Sequence, residues 1–457
     1  MNDITAFFAF QKYCLGSKED MNRMIAGMDW QELYSFASKQ TILGLCFDGI
    51  ERLGVEYPEE LKQNPMGRDL LMTWMGAAQQ IRRQNMKVNA VAGKLYSKFR
   101  EDGLRCCILK GQGNALMYPN PYSRTPGDID VWVNASREEI TEYAKCHFKL
   151  EDDIRFHHLE TTMDGVPVEL HFFPGIMNNP IYHARLQKWF RRNADLQCSH
   201  IVGLPDGAGD IAIPTTAFNV IYQLTHLYHH FFDEGIGMRQ IIDYFLVVND
   251  FSKNVFLDTD FSNHPVNFSN HPVPLSKEGS TFSPSPSSSG SGDVTALRCS
   301  EPLRSKVGGA SKPSPNCAGW DRLSIEGDNS AGSATAVTSS ASTALVVVQR
   351  ELKYLGLWKF AGAVMYVLHE ALGLSEEKMI APMDEKRGKL LLAEILNGGN
   401  FGKHFTKYGH FTQQGMAKKY FLKIWRNMHF VRYYPAEALC EPLFRTWHFF
   451  WRMKNKK

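Results

Sequence analysis

The chain has no C-x-x-C pair among its nine cysteines, no run of 18 uninterrupted apolar residues and no strong excess of either charge. An odd cysteine count without a pairing motif argues against a disulfide framework and suits a reducing compartment, with thiols serving as small core residues. Cys106 and Cys107 are adjacent on an apparent strand, so their side chains point to opposite faces and suit no mutual bridge. The missing apolar run excludes a sequence-evident membrane span, and the opening MNDITAFFAF lacks the basic-then-apolar pattern of a secretory signal. The expectation is a soluble cytoplasmic protein. A net charge of +3 is too mild to require a nucleic-acid partner. What is present is ordinary for a globular protein, with 44% hydrophobic and 22% charged residues over a length sufficient for two or three domains.

Periodicity divides the chain. Residues 1–98 read as a helical region, with apolar residues at helical spacing from Met24 to Thr41 and from Gly67 to Lys98. Residues 99–213 change period. Leu104 to Leu109 is a short β-like run ending in Lys110-Gly111-Gln112-Gly113. A Pro-broken loop leads to a strand from Asp128 to Val133. A helix from Ser136 to Phe148 follows, with Ser136 and Glu139 spaced as a capping box. Then comes a hairpin, His157 to Thr162 and Val166 to Phe172, turning at Asp164-Gly165. The order strand, helix, strand, helix, strand, strand predicts an α/β (α+β) core with a small mixed sheet, flanked by helical regions. Residues 214–250 and 344–457 read as one C-terminal helical region. Between them, 251–343 is rich in Ser, Pro, Gly, Asn and Thr, holds a direct repeat (Phe261 to Val266, then Phe268 to Val273), and reads as a disordered insert.

Three carboxylates carry chemistry. In DIDVWV, Asp128 and Asp130 share one strand face while Ile129 and Val131 take the other. Two carboxylates side by side repel unless a cation lies between them, and oxygen-only ligands suit Mg²⁺ or Mn²⁺. On the hairpin, Glu169 and His171 oppose the apolar face of Val168, Leu170 and Phe172. Should that strand pair beside DIDVWV, Glu169 completes the metal set. Two ions about 3.5–4 Å apart then activate a hydroxyl and stabilise a leaving pyrophosphate. Gly111, at a strand-to-helix turn, allows close approach of a phosphate to the backbone and helix N-terminus, and Lys110 and Arg124 flank the site as cations.

The run LKGQGNALMYPNPYSRTPGDIDVWV resembles the polymerase-β-like nucleotidyltransferase superfamily, and more narrowly the bacterial family described as uncharacterised nucleotidyltransferase. Lys110, Gly111, Tyr118, Pro119, Arg124, Gly127, Asp128, Asp130, Glu169 and His171 fall on that family's pattern. Two features depart from the superfamily at large: Lys110-Gly111 stands where Gly-Gly or Gly-Ser is usual, and the gap from Gly111 to Asp128 is long. The resemblance implies metal-dependent transfer of a nucleoside monophosphate from an NTP such as ATP, with the acceptor left open. The alternative is a nucleotide-binding or sensing module without turnover.

Other clusters have plainer readings. His226, His229 and His230 at i, i+3 and i+4 share a helix face that could build a transition-metal site, but without an evident carboxylate or Cys partner they are expected to pack and hydrogen-bond near the cleft. His157, His158 and His171 are candidates to line the same pocket. Arg239 and Asp243, spaced i, i+4, are expected to form a structural ion pair. The basic, aromatic stretch from Lys403 onward suggests a weak membrane-surface contact, a nucleic-acid contact or, in the favoured reading, a bundle helix with core aromatics and solvated cations.

Overall fold

The computed structural model describes residues 4–150, 155–257, 333–404 and 416–455. The N-terminal helices are Ile4–Cys14, Asn22–Gly27, Trp30–Lys39, Leu43–Glu56, Pro58–Gln63 and Arg68–Glu101. The periodic run from Met24 to Thr41 is two helices. Asp29 interrupts it because its carboxylate accepts the amides of Gln31 and Glu32 and so caps the second helix. The 34-residue helix Arg68–Glu101 lines up a buried stripe from Trp74 to Phe99.

Strands β1 (Cys106–Leu109), β2 (Ile129–Val133), β3 (His158–Met163) and β4 (Val166–His171) form one mixed sheet in the order β1-β2-β4-β3. The β2–β4 pair is parallel and both other pairs are antiparallel. The hairpin turns where expected: Asp164 and Gly165 both have positive φ, as a tight two-residue turn requires. Helix Arg137–His147 opens on the reciprocal Ser136–Glu139 capping box. A second, two-stranded sheet pairs β5 (Ile201–Gly203) with β6 (Asp210–Ala212). Sequence periodicity had not marked it, because three-residue strands are too short to show alternation.

The four-stranded sheet separates two apolar cores, and strand parity assigns residues between them. Cys106, Ile108, Ile129, Val131, Val168 and Leu170 join the smaller core under helices Arg68–Glu101 and Arg137–His147. Cys107, Leu109 and Trp132, on the other face, join the larger core with the N- and C-terminal helices. Adjacent Cys106 and Cys107 therefore lie in different cores.

Helices Thr216–Asp233, Met238–Leu257, Ser333–Tyr354, Trp358–Leu372 and Glu385–Gly398 contribute to the larger core. The borders of the insert shift. The Met238 helix runs past the expected end at residue 250 because Phe251 and Ser252 continue its buried stripe. The next helix begins at Ser333, before the expected resumption near Leu345. Residues 258–332, with the direct repeat, lie outside the described residues.

The C-terminal helices Met416–Met428 and Glu441–Asn455 only partly match the expected bundle. Phe430 and Tyr434 are core, but Phe421, Trp425, Trp447 and Phe450 are exposed. Conversely Arg426, expected to be solvated, is buried near Glu394 and over the ring of Phe430. Among the described residues no helix is long and apolar enough to cross a membrane.

Candidate active site

Register and parity gather the acidic residues. Across the parallel β2–β4 pair, Asp130 lies directly opposite Glu169. Across the antiparallel β3–β4 pair, Glu160 lies opposite Glu169 and His158 opposite His171. Directly opposed residues share a sheet face, so Asp130, Glu169, His171, Glu160 and His158 project together. Asp128 precedes β2 by one residue and keeps the same parity. The pairing on which Glu169's approach depended is therefore present in the structure.

That sheet face forms one wall of a cavity of about 310 Å³. The opposite wall is helix Thr216–Asp233, through His226, His229 and His230, with Arg239 and Asp243 from the next helix. Seven carboxylates line this cavity against four Lys and Arg side chains. An excess of negative charge carried on hard oxygen donors fits divalent cations of the Mg²⁺ or Mn²⁺ type.

The electrostatics show the same strain. The neighbouring charge of Asp130, then burial, pushes the Asp128 carboxyl up to about 6. Burial alone would raise Asp130 too, but Lys110 and His171 hold it well below the usual carboxylate range. Lys110 Nζ is 2.9 Å from Asp130 Oδ1, and His171 Nε2 is 3.0 Å from the same oxygen and 3.2 Å from Glu169 Oε2. Burial works against the charged form of His171, yet those two carboxylates lift it to about 9.

Lys110 and Gly111 both sit at positive φ, which kinks the chain out of β1. At Lys110 this conformation is strained for a side-chain-bearing residue, and it brings the ammonium back over the sheet. The helix that follows, Gly111–Ala115, is a single short turn, so the dipole support expected from a longer helix is lacking.

Arg124 lines the cavity but is already engaged. Its Nε and Nη2 each donate to Asp243 at 2.8 Å, and the Tyr118 hydroxyl donates to the same carboxylate at 2.8 Å. Its Nη1 is buried with no hydrogen-bond partner. The expected Arg239–Asp243 pair is thus replaced by Arg124–Asp243. Arg239 instead donates to the Thr125 carbonyl at 3.0 Å and lines the cavity as a further cation.

Two contributors were missed at the sequence level. Asn85, buried in the long helix, donates to the carbonyls of Tyr122 and Arg124 at 2.8 Å and so holds the loop that carries Arg124. Arg155 pairs with Glu160 at 2.8 Å on the cavity wall. Neither has a local sequence signal. The three histidines of helix Thr216–Asp233 do face the cleft, His226 lying 3.4 Å from Lys110 Nζ.

A family model described as uncharacterised nucleotidyltransferase matches residues 26–261, more than half of the chain. The chain belongs to this family. The match takes in the whole sheet and the helices that carry His226 to Asp243. It also includes most of the N-terminal helices, a wider span than the motif-bearing segment alone. The family's description places the chain among proteins of nucleotidyl transfer. No curated protein and no solved structure matches it.

Proposed function

We propose that this nucleotidyltransferase moves a nucleoside monophosphate from an NTP to a hydroxyl acceptor, with Asp128, Asp130 and Glu169 holding two Mg²⁺ or Mn²⁺ ions. The observation that carries the reading is the Asp130–Glu169 register with Asp128 two residues upstream on the same face. When bound, such ions lower the pKa of a bound hydroxyl and neutralise charge on a departing pyrophosphate.

The chain's own residues supply the rest. Lys110, with its ammonium inside the cavity, is placed to neutralise the triphosphate, and Gly111 keeps a side chain out of the kink beside it. Arg124, fixed by Asp243 and Tyr118, offers its unpaired Nη1 edge as a pre-positioned cation. Arg239 adds a second guanidinium. His171 donates to Asp130 and Glu169 and orients both carboxylates.

A second reading, nucleotide binding without turnover, draws support from the Lys110–Asp130 contact, since an ammonium can neutralise that carboxylate without a metal. Incubation with each NTP, Mg²⁺ and a panel of acceptors separates the two. Mass spectrometry should reveal an acceptor gaining a nucleotidyl increment, abolished by a chelator. NTP binding at stoichiometric levels with no increment on any acceptor and no pyrophosphate released supports the binding module.

A further inference from the structure

Beside the carboxylates lies a group of imidazoles that the transfer reaction does not use as ligands. His158 and His171 face each other at the ends of β3 and β4, and His157 precedes β3. Its carbonyl accepts the Phe172 amide at 2.9 Å, which ties the two strand ends together. The ring centroids form a tight triangle: 4.3 Å from His157 to His158, 5.1 Å from His158 to His171 and 5.6 Å from His157 to His171. One ligating nitrogen from each ring lies within 4.8 Å of the other two.

The hydrogen bonding of these rings is asymmetric. His171 Nε2 meets Asp130 at 3.0 Å, and His158 Nε2 meets Glu160 at 3.3 Å. The Nδ1 atoms of His157 and His171 are buried without a hydrogen-bond partner among the described residues, while His158 Nδ1 lies 3.3 Å from Glu169 Oε2. His171 is only 3% exposed, so open solvent does not satisfy its Nδ1. A buried polar nitrogen left unpaired is costly. A carboxylate on one ring nitrogen with the other nitrogen free is the arrangement that orients a histidine towards a metal.

We propose that His157, His158 and His171 form a second metal site, for a first-row transition ion of the Zn²⁺ type, adjoining the carboxylate site and sharing Glu169 with it. Imidazole nitrogen suits Zn²⁺ where Mg²⁺ prefers oxygen, so neighbouring sites of different donor chemistry select different ions. Glu169 Oε2, 3.3 Å from His158 Nδ1, stands close enough to serve as a fourth ligand. An ion held there pins the β3 and β4 ends that form one edge of the cavity.

The test uses the full chain and Zn²⁺ alone, without nucleotide. After zinc loading and desalting, plasma mass spectrometry should find about one equivalent of zinc in the wild type and in Asp128→Asn. His157→Ala and His158→Ala should each retain less than about a tenth of that. Co²⁺ loading of the unmodified chain gives an independent readout, since a four-coordinate site with nitrogen ligands produces intense visible absorption. Zinc that follows Asp128 instead of the histidines would overturn the proposal. So would wild-type protein that retains no zinc and shows no such Co²⁺ spectrum. Neither readout depends on nucleotidyl transfer, so wild-type protein that holds no zinc yet releases pyrophosphate sinks this inference alone.

Discussion

Asp130 and Glu169 are direct partners across the only parallel strand pair of the four-stranded sheet, and this register places two carboxylates on one wall of the cavity. Adjacent strands are roughly 4.8 Å apart, so the backbone fixes their approach. Asp128 joins them from the residue just before β2, and its carboxyl is held up to about 6 mainly by the charge of Asp130. Without metal, this crowding is destabilising. Asp128→Asn in chelator should therefore raise stability by about 1 kcal/mol, the scale of a partly screened charge pair. Chemical denaturation with and without Mg²⁺ checks it; a variant less stable than the wild type in chelator contradicts it.

Lys110 Nζ, 2.9 Å from Asp130 Oδ1, stands where a metal on that carboxylate would have to compete with it. At about 4 Å and an effective dielectric of 20, two unit charges interact by about 4 kcal/mol, enough to matter after screening. Lys110→Met should bind Mn²⁺ more tightly, by about tenfold or more, and yet turn over more slowly because the triphosphate loses a cation. Titration followed by paramagnetic resonance, beside pyrophosphate release, separates the two effects. Weaker Mn²⁺ binding in the variant would show that Lys110 does not oppose the metal.

The Arg124–Asp243 pair is buried on both sides, at 5% and 7% side-chain exposure. Removing one partner strands the other charge, so Arg124→Ala or Asp243→Ala should each cost about 3–5 kcal/mol. The double variant should cost less than the two singles together. Additive losses in urea unfolding would mean that the two side chains act independently.

Glu437 supplies a pH dependence away from the cavity. Burial pushes its carboxyl up to about 7, against the two backbone amides of Asn178 and Asn179 that favour its charge. In the unfolded chain it titrates near 4.5. Between those values the folded protein keeps a proton that the unfolded chain has lost, so stability falls as pH rises through the window. The loss attributable to this group is about 3 kcal/mol at most. Urea unfolding at pH 5 and 7.5 should show a smaller difference for Glu437→Gln than for the wild type. Equal slopes would assign the dependence elsewhere.

Short-range features were legible in the sequence. Parity within DIDVWV and VPVELH placed the carboxylates on one face, and Asp164-Gly165 marked the hairpin that orders β3 beside β4. The capping box located the helix start at Ser136. Contacts between distant segments were not legible. Arg124 and Asp243 are 119 residues apart, and Asn85 reaches its loop from a helix nearly 40 residues upstream. Nothing in local periodicity encodes such pairs. Asp243 looked committed to Arg239 because i, i+4 spacing is visible in sequence, whereas a guanidinium delivered by a remote loop is not. The Lys110–Asp130 contact was similarly hidden, since it depends on a strained positive φ at a lysine.

The carboxylate site is tested most directly by pyrophosphate release from NTPs with Mg²⁺, comparing the wild type with Asp128→Asn and Asp130→Asn. The expected result is Mg²⁺-dependent release by the wild type that falls by about 10³-fold or more in either variant, on the scale of several kcal/mol of lost charge stabilisation. Release that persists in both variants at near wild-type rates would contradict the assignment of these residues to a metal-dependent nucleotidyl transfer.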